Sequence, residues 1–285
     1  MKIGISSYSF SKMMRTGNYT YRQLCDITKK IGYDGIEFVS LQRTGMSDDA
    51  FATARDLRQY CADIGLEIVA YTVGADFLSD DMPAMLEELY RCVDITQELG
   101  AKIMRHDVAH KARSQYGYTY KNAIAEIAPH IRAVTQYALE RGIRTCTENH
   151  GYFFQAPERV EELILAVNHS NYGWLVDMGN FLCADADVPH AVTIAAPYAF
   201  HVHVKDFLFK SGAELPPHTA GWLSTAGGNY LRGTVPGHGV VPIQQCISIL
   251  KKNGYDGYIS LEFEGWEDNL QAVEVAFAFL KGLQL

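Results

Sequence analysis

Short β-branched or apolar runs alternate with longer stretches of helical period along the whole chain, and this alternation constrains the fold more than any other feature. The strand-like runs are 2–9, 34–40, 67–73, 102–108, 144–150, 173–179, 199–206 and 257–264. Helical period falls near 20–31, 48–65, 82–99, 118–141, 157–168, 188–196, 242–253 and 268–282. Gly32, Gly65, Gly100, Gly142 and Gly254 each follow a helical stretch and precede a strand, as C-terminal helix caps do. Eight βα units with no Pro-, Ser- or Gly-rich linker between halves predict an α/β chain forming a single (β/α)8 TIM barrel over 1–285, a fold of about 250 residues. A doubly wound open sheet is the alternative, but "GISSYS" stands where that fold carries G-x-G-x-x-G. One connection is out of proportion. Residues 207–240 hold Pro216, Pro217, Pro236 and seven glycines on the C-terminal side of the seventh strand, where barrel enzymes keep their active sites, and are expected to form an active-site lid.

With 33 acidic against 25 basic residues and no long basic run, the net charge of −8 disfavours a surface that tracks a phosphate backbone, so no nucleic-acid partner is expected. No apolar run approaches the ~20 residues of a membrane span, and the start has no charged segment followed by a long apolar one, which predicts a cytoplasmic protein without a membrane partner. The six cysteines form no C-x-x-C pair and are expected as free thiols.

The seventh run, "AFHVHVKD", places His201, His203 and Lys205 on one face of a strand and Val202, Val204 and Asp206 on the other. Three ionisable groups on a buried face need partners. The C-terminal ends of the neighbouring strands supply them: Glu148 in "RTCTENHG", Asp177 in "WLVDMGN" and Glu262 in "YISLEFEG". Three carboxylates converging in one barrel mouth repel each other unless a cation sits among them. Three oxygen ligands and one imidazole suit a single divalent ion, Mn2+ first, with Mg2+, Co2+ or Zn2+ as alternatives. A lone carboxylate at a strand end is more often structural; four residues on successive strands at one height favour metal.

The motifs "DGIEF", "TENHG", "VDMGN", "HVHVKD" and "SLEFEG", in this order and spacing, resemble those of the sugar phosphate isomerase/epimerase family, the xylose-isomerase-like TIM barrels. The resemblance runs over essentially the whole chain. It implies one divalent metal on Glu148, Asp177, His203 and Glu262, and a sugar or polyol ketone with adjacent hydroxyl and carbonyl groups. It also implies an isomerase or epimerase in which Glu148 and Glu262 move a proton through a cis-enediolate, with base and acid left unassigned. Glu37, His106, His150, Asn180 and Lys205 are expected around the substrate, as are Trp222, Arg232 and His238 from the long loop; for Lys205 an ion pair with Glu262 is an equal alternative, and His201 is expected to support His203 from a deeper layer. A dimer or tetramer is expected by family analogy.

Departures narrow the substrate. Ketose 3-epimerases of the family carry a His where Asn180 stands, a Glu where Phe154 stands and an Arg where Phe209 stands, which argues against a free ketohexose. A dehydratase or lyase acting on a keto-inositol or 3-keto-glycoside shares the early steps and is the alternative. An abasic-site endonuclease-like phosphodiesterase is disfavoured, because the Asp-x-His pair expected after His203 is missing.

Overall fold

A computed structural model of the chain describes residues 1–15, 19–41, 49–115, 117–214 and 220–285. The strands are β1 (Lys2–Ser6), β2 (Gly35–Val39), β3 (Glu67–Val73), β4 (Ile103–His106), β5 (Arg144–Glu148), β6 (Tyr172–Asp177), β7 (Ala199–Val204), β8 (Asp206–Lys210), β9 (Leu223–Ser224), β10 (Tyr230–Thr234) and β11 (Tyr258–Leu261). The helices are α1 (Ser11–Arg15), α2 (Tyr21–Ile31), α3 (Ala50–Ile64), α4 (Met82–Leu99), α5 (Tyr120–Leu139), α6 (Pro157–Val167), α7 (Val188–Ala195), α8 (Ile243–Lys252) and α9 (Asn269–Lys281). Eight strands close a barrel in the order β1-β11-β7-β6-β5-β4-β3-β2, each pair parallel, as the alternation predicts.

Local chemistry sets the outer ring. In α2, Thr20 and Gln23 form a reciprocal capping box, and Tyr21, Leu24, Cys25 and Thr28 recur at helical spacing as the buried face. Gly32, Gly65, Gly100, Gly142 and Gly254 all have positive φ, the left-handed backbone that ends a helix at low steric cost. Outward-facing strand residues such as Ile36, Phe38, Met104, Trp174, Val176 and Val202 join the helices in one continuous core. The barrel interior begins at its N-terminal end with Val69, Ile103, Cys146 and Leu175, above which the inner face turns polar. The six cysteines are buried free thiols.

The structure differs from the expectation at two strand ends, each for a local reason, and in the long connection after β7. The run 2–9 stops as a strand at Ser6, whose hydroxyl accepts from Tyr8 N and starts a 3-10 turn over Ser7–Phe10. The run 199–206 breaks at Lys205, because Asp206 leaves the outer strand face to accept from the backbone N–H groups of Phe207, Gly237, Gly239 and Val241. Asp206 thereby draws in the end of the long connection. Over its described residues that connection is no simple loop but the antiparallel sheet β8-β10-β9, tied to the body by Thr225 and Asn229 on Asp185, and by Thr234 on Glu267. Pro216 and Pro217 lie outside the described residues, as does residue 48 at the expected start of α3.

Candidate metal centre

Register brings the four strand-end residues together. Asp177 on β6 pairs with His203 on β7, His203 pairs with Ser260 on β11, and Glu148 ends β5 beside Leu175 of β6. Glu262 follows β11 immediately and continues the ladder by donating its N–H to Val204 O at 3.0 Å. One ligand atom from each of Glu148, Asp177, His203 and Glu262 lies within 4.8 Å of the other three, and all four residues are buried. His203 Nδ1 is 3.6 Å from Glu262 Oε1 and 3.9 Å from both Glu148 Oε1 and Asp177 Oδ2. Nδ1 and Asp177 Oδ2 are both buried and find no hydrogen-bond partner among the described residues, although Lys205 Nζ passes 3.3 Å from Oδ2. An ion with bonds of about 2.1 Å spans ligand atoms at such separations and gives both orphans a partner, so the residues present fit a divalent cation.

Each member of the cluster is oriented from behind. His203 Nε2 donates to Glu37 Oε1 at 2.8 Å, which turns Nδ1 as a lone pair toward the carboxylates. The second Glu37 oxygen accepts from His201 Nε2 at 2.6 Å. Burial opposes the charge on Glu37, but the His203 and His201 imidazoles hold its carboxyl well below the usual range. Asp177 Oδ1 accepts from the N–H groups of Gly179 and Asn180, both at 2.8 Å. Asn149 receives Asp177 N and Trp174 Nε1 on Oδ1 and donates to Asp177 O, pinning the end of β6. Glu148 Oε2 lies 2.6 Å from Arg105 Nη2, and Oε1 accepts from Asn180 Nδ2 at 2.8 Å. Lys205 Nζ reaches Glu262 Oε2 at 2.5 Å, the ion pair weighed from the sequence.

The mouth above the cluster is a cavity of about 220 Å3 whose wall includes Tyr8, Arg105, Asp107, Glu148, His150, Lys205, Glu262 and Glu264. It is smaller than the ~300 Å3 at which drug-sized pockets begin, and so suits one small ring. His150, with 45% of its side chain exposed, is held through Nδ1 by Asp107 Oδ1 at 2.9 Å, and its Nε2 has no hydrogen bond among the described residues. Burial opposes protonation of His150, but Asp107 and Glu148 raise its pKa above the ordinary value. Burial also raises the Glu264 carboxyl; Lys205 opposes this and Glu262 adds to it. The two glutamates of the cluster diverge: burial raises Glu148 against the pull of Arg105, whereas at Glu262 the Lys205 and His203 charges outweigh burial and hold it well below the usual range.

Several residues expected around the substrate lie away from the cavity wall. Glu37 is fully buried beneath the cluster with both oxygens occupied by imidazoles. His106 faces out of the barrel, its Nδ1 on Asp107 O and its ring stacked against Tyr172, and burial pulls its pKa down to about 4. Asn180 bridges Glu148 and Lys205 with its amide and is buried away from the cavity wall. Trp222, just before β9, and Arg232 on β10 pack on each other, with the guanidinium 5.2 Å from the indole ring, and His238 is exposed on the turn after β10; none of the three lines the cavity. Sequence reasoning missed Arg105, Asp107 and Tyr8. The signal for Arg105 was available in "IMRHD": if Met104 faces the helices, His106 does too, and Arg105 faces in.

A model of the xylose isomerase-like TIM barrel family matches residues 25–283. A 3-dehydroshikimate dehydratase of Pseudomonas aeruginosa is 25% identical over 260 residues, covering 89% of this chain and only 37% of that protein. An inosose dehydratase of Yersinia enterocolitica is 23% identical over 217 residues, 70% of each chain. Among solved structures, a probable 3-DHS dehydratase from Bacillus anthracis superposes with a TM-score of 0.78 at 18% identity, covering 99% of both chains. An IOLI protein with a bound zinc atom superposes at 0.77 with 17% identity, covering 98% of this chain and 96% of the other. At these identities the structural likenesses bear on the fold. No helix among the described residues is long and apolar enough to cross a membrane.

Proposed function

The chain belongs to the xylose isomerase-like TIM barrel family, and from that premise we propose that it is a divalent-metal-dependent lyase that removes water from a small cyclic polyhydroxy ketone. The dehydratase relatives reverse the order in which the sequence ranked isomerisation and dehydration. The observation that carries the reading is that the His150–Asp107 pair and Glu264, whose carboxyl burial raises, line one cavity: a base and an acid outside the four-residue cluster. Elimination needs both on different atoms of the substrate. The positions where ketose 3-epimerases carry polar groups support this reading, because Phe154 is fully buried, Phe209 is exposed on β8 and the Asn180 amide is occupied.

A divalent ion on Glu148, Asp177, His203 and Glu262, with Mn2+ our first choice, would polarise the ketone and acidify the C–H beside it. His150 Nε2 takes that proton, while Asp107 fixes the tautomer and stabilises the imidazolium. Glu264 gives its proton to the departing hydroxyl, which leaves as water as the carbon–carbon double bond forms. His150 then returns its proton to Glu264 through solvent, so the cycle balances. Lys205 and Arg105 hold Glu262 and Glu148 in place through ion pairs.

The test is to incubate Mn2+-loaded protein in D2O with a keto-inositol and with 3-dehydroshikimate, following proton NMR and the ultraviolet absorbance of a conjugated product. Loss of a hydroxyl-bearing carbon signal, reduced about 10^2–10^4-fold in His150→Gln and in Glu264→Gln, is expected. Exchange beside the carbonyl that yields a new diastereomer with every hydroxyl retained would overturn dehydration in favour of epimerisation.

A further inference from the structure

The barrel has a second cavity at its opposite, N-terminal end, about 760 Å3 in volume. Its wall carries four cations, Arg58, Lys102, Arg141 and Arg144, against one acid, Glu67, in a chain whose net charge is −8. Glu67 is already neutralised by Lys2 at 2.9 Å and accepts from Tyr258 OH at 2.7 Å. Arg141 is held by Asp94. Arg58, Lys102 and Arg144 form no ion pair among the described residues; Arg144 instead lies 4.6 Å over the Phe200 ring, which keeps its guanidinium at the cavity. Like charges gathered around one concavity without carboxylate partners destabilise the fold unless an anion is drawn among them.

The deep end of the same cavity supplies a second, independent feature. His201 lines it, is 1% exposed, and holds Glu37 through Nε2, while its buried Nδ1 has no hydrogen-bond partner. With Nε2 donating to the carboxylate, Nδ1 is left as a buried acceptor beside the cavity. Inorganic phosphate alone would meet the cations but leave most of the 760 Å3 empty; an uncharged polyol would fill it and ignore the cations. We propose that this N-terminal cavity binds a small phosphate ester, with its phosphate among Arg58, Lys102 and Arg144. Guanidinium groups match phosphate oxygens in bidentate geometry, which suits two arginines at the mouth. The site is separate from the catalytic cavity and independent of the reaction proposed for it.

Isothermal titration of the full Mn2+-loaded chain with D-glucose 6-phosphate tests the assignment, with D-glucose as the uncharged control. Arg58 and Arg144 are exposed, so the Arg58→Gln/Arg144→Gln variant should melt like the parent. Saturable binding of the phosphate ester, weakened at least tenfold in that variant, is expected. Hydrogen-exchange protection is expected at residues 66–69, 100–103 and 143–144. Absence of binding, equal affinity in the variant, or protection confined to residues 148–155 and 262–266 at the other mouth would each overturn the proposal.

Discussion

Replacing Glu37 with glutamine separates support of the metal centre from contact with substrate. The carboxylate accepts from His201 Nε2 at 2.6 Å and from His203 Nε2 at 2.8 Å, and both imidazoles therefore carry their proton on Nε2. Glutamine offers one acceptor oxygen and one NH2, so one imidazole must present a bare Nε2 and shift its proton to Nδ1. On His203 that proton would sit on the atom facing Glu148, Asp177 and Glu262, where it competes with the ion. Loss of such a partner behind a ligating histidine weakens metal affinity by about 10–100-fold, or about 1.4–2.7 kcal/mol. The assay is a Mn2+ titration followed by electron paramagnetic resonance of the free ion, with a thermal melt to establish that Glu37→Gln is folded. A dissociation constant within threefold of wild type would refute the reasoning. A raised KM at unchanged metal affinity would instead return Glu37 to the substrate.

Three further outcomes follow from named contacts. Burial lowers His106 to about 4 from its ordinary 6.5, so between those values the unfolded chain binds a proton the folded chain does not, and stability falls as pH drops through the window by up to about 3 kcal/mol. His106→Phe should flatten that part of the curve, and parallel curves for variant and wild type in chemical denaturation would sink the idea. Asn149→Ala strands Trp174 Nε1 and the backbone of Asp177, and should cost about 2–4 kcal/mol in urea unfolding; a loss under about 0.5 kcal/mol would show the three groups find other partners. Mn2+ at a hundred times its dissociation constant should add about 2.7 kcal/mol, raising the melting temperature by about 5 °C. That increment should vanish in Asp177→Asn, which keeps the Oδ1 contacts to Gly179 and Asn180; an equal rise in the variant would place the ion elsewhere.

The barrel and the four strand-end residues that converge at its mouth were legible because they rest on local rules. The alternation of periods orders the elements, glycines with positive φ end helices, and the last inward residue of a parallel strand faces the open end. Glu148, Asp177, His203 and Glu262 follow from those rules alone, as does the apolar outer face of β11. Orientation at the other polar positions does not. His106 and Glu37 both stand on strands in the upper barrel, yet one faces the helices and the other lies beneath the ion site, a parity set by how β4 and β2 are phased against their neighbours. A register shift between Ile36 and Phe38 alters the phasing of β2 without a local sequence mark. The sequence by itself therefore determined the architecture and which four strand-end residues converge at the barrel mouth. Tertiary structure decided which side chains support them, because those choices are hydrogen bonds between distant residues: His203 meets Glu37 across 166 positions, and Asn149 meets Trp174 and Asp177 across 25 and 28.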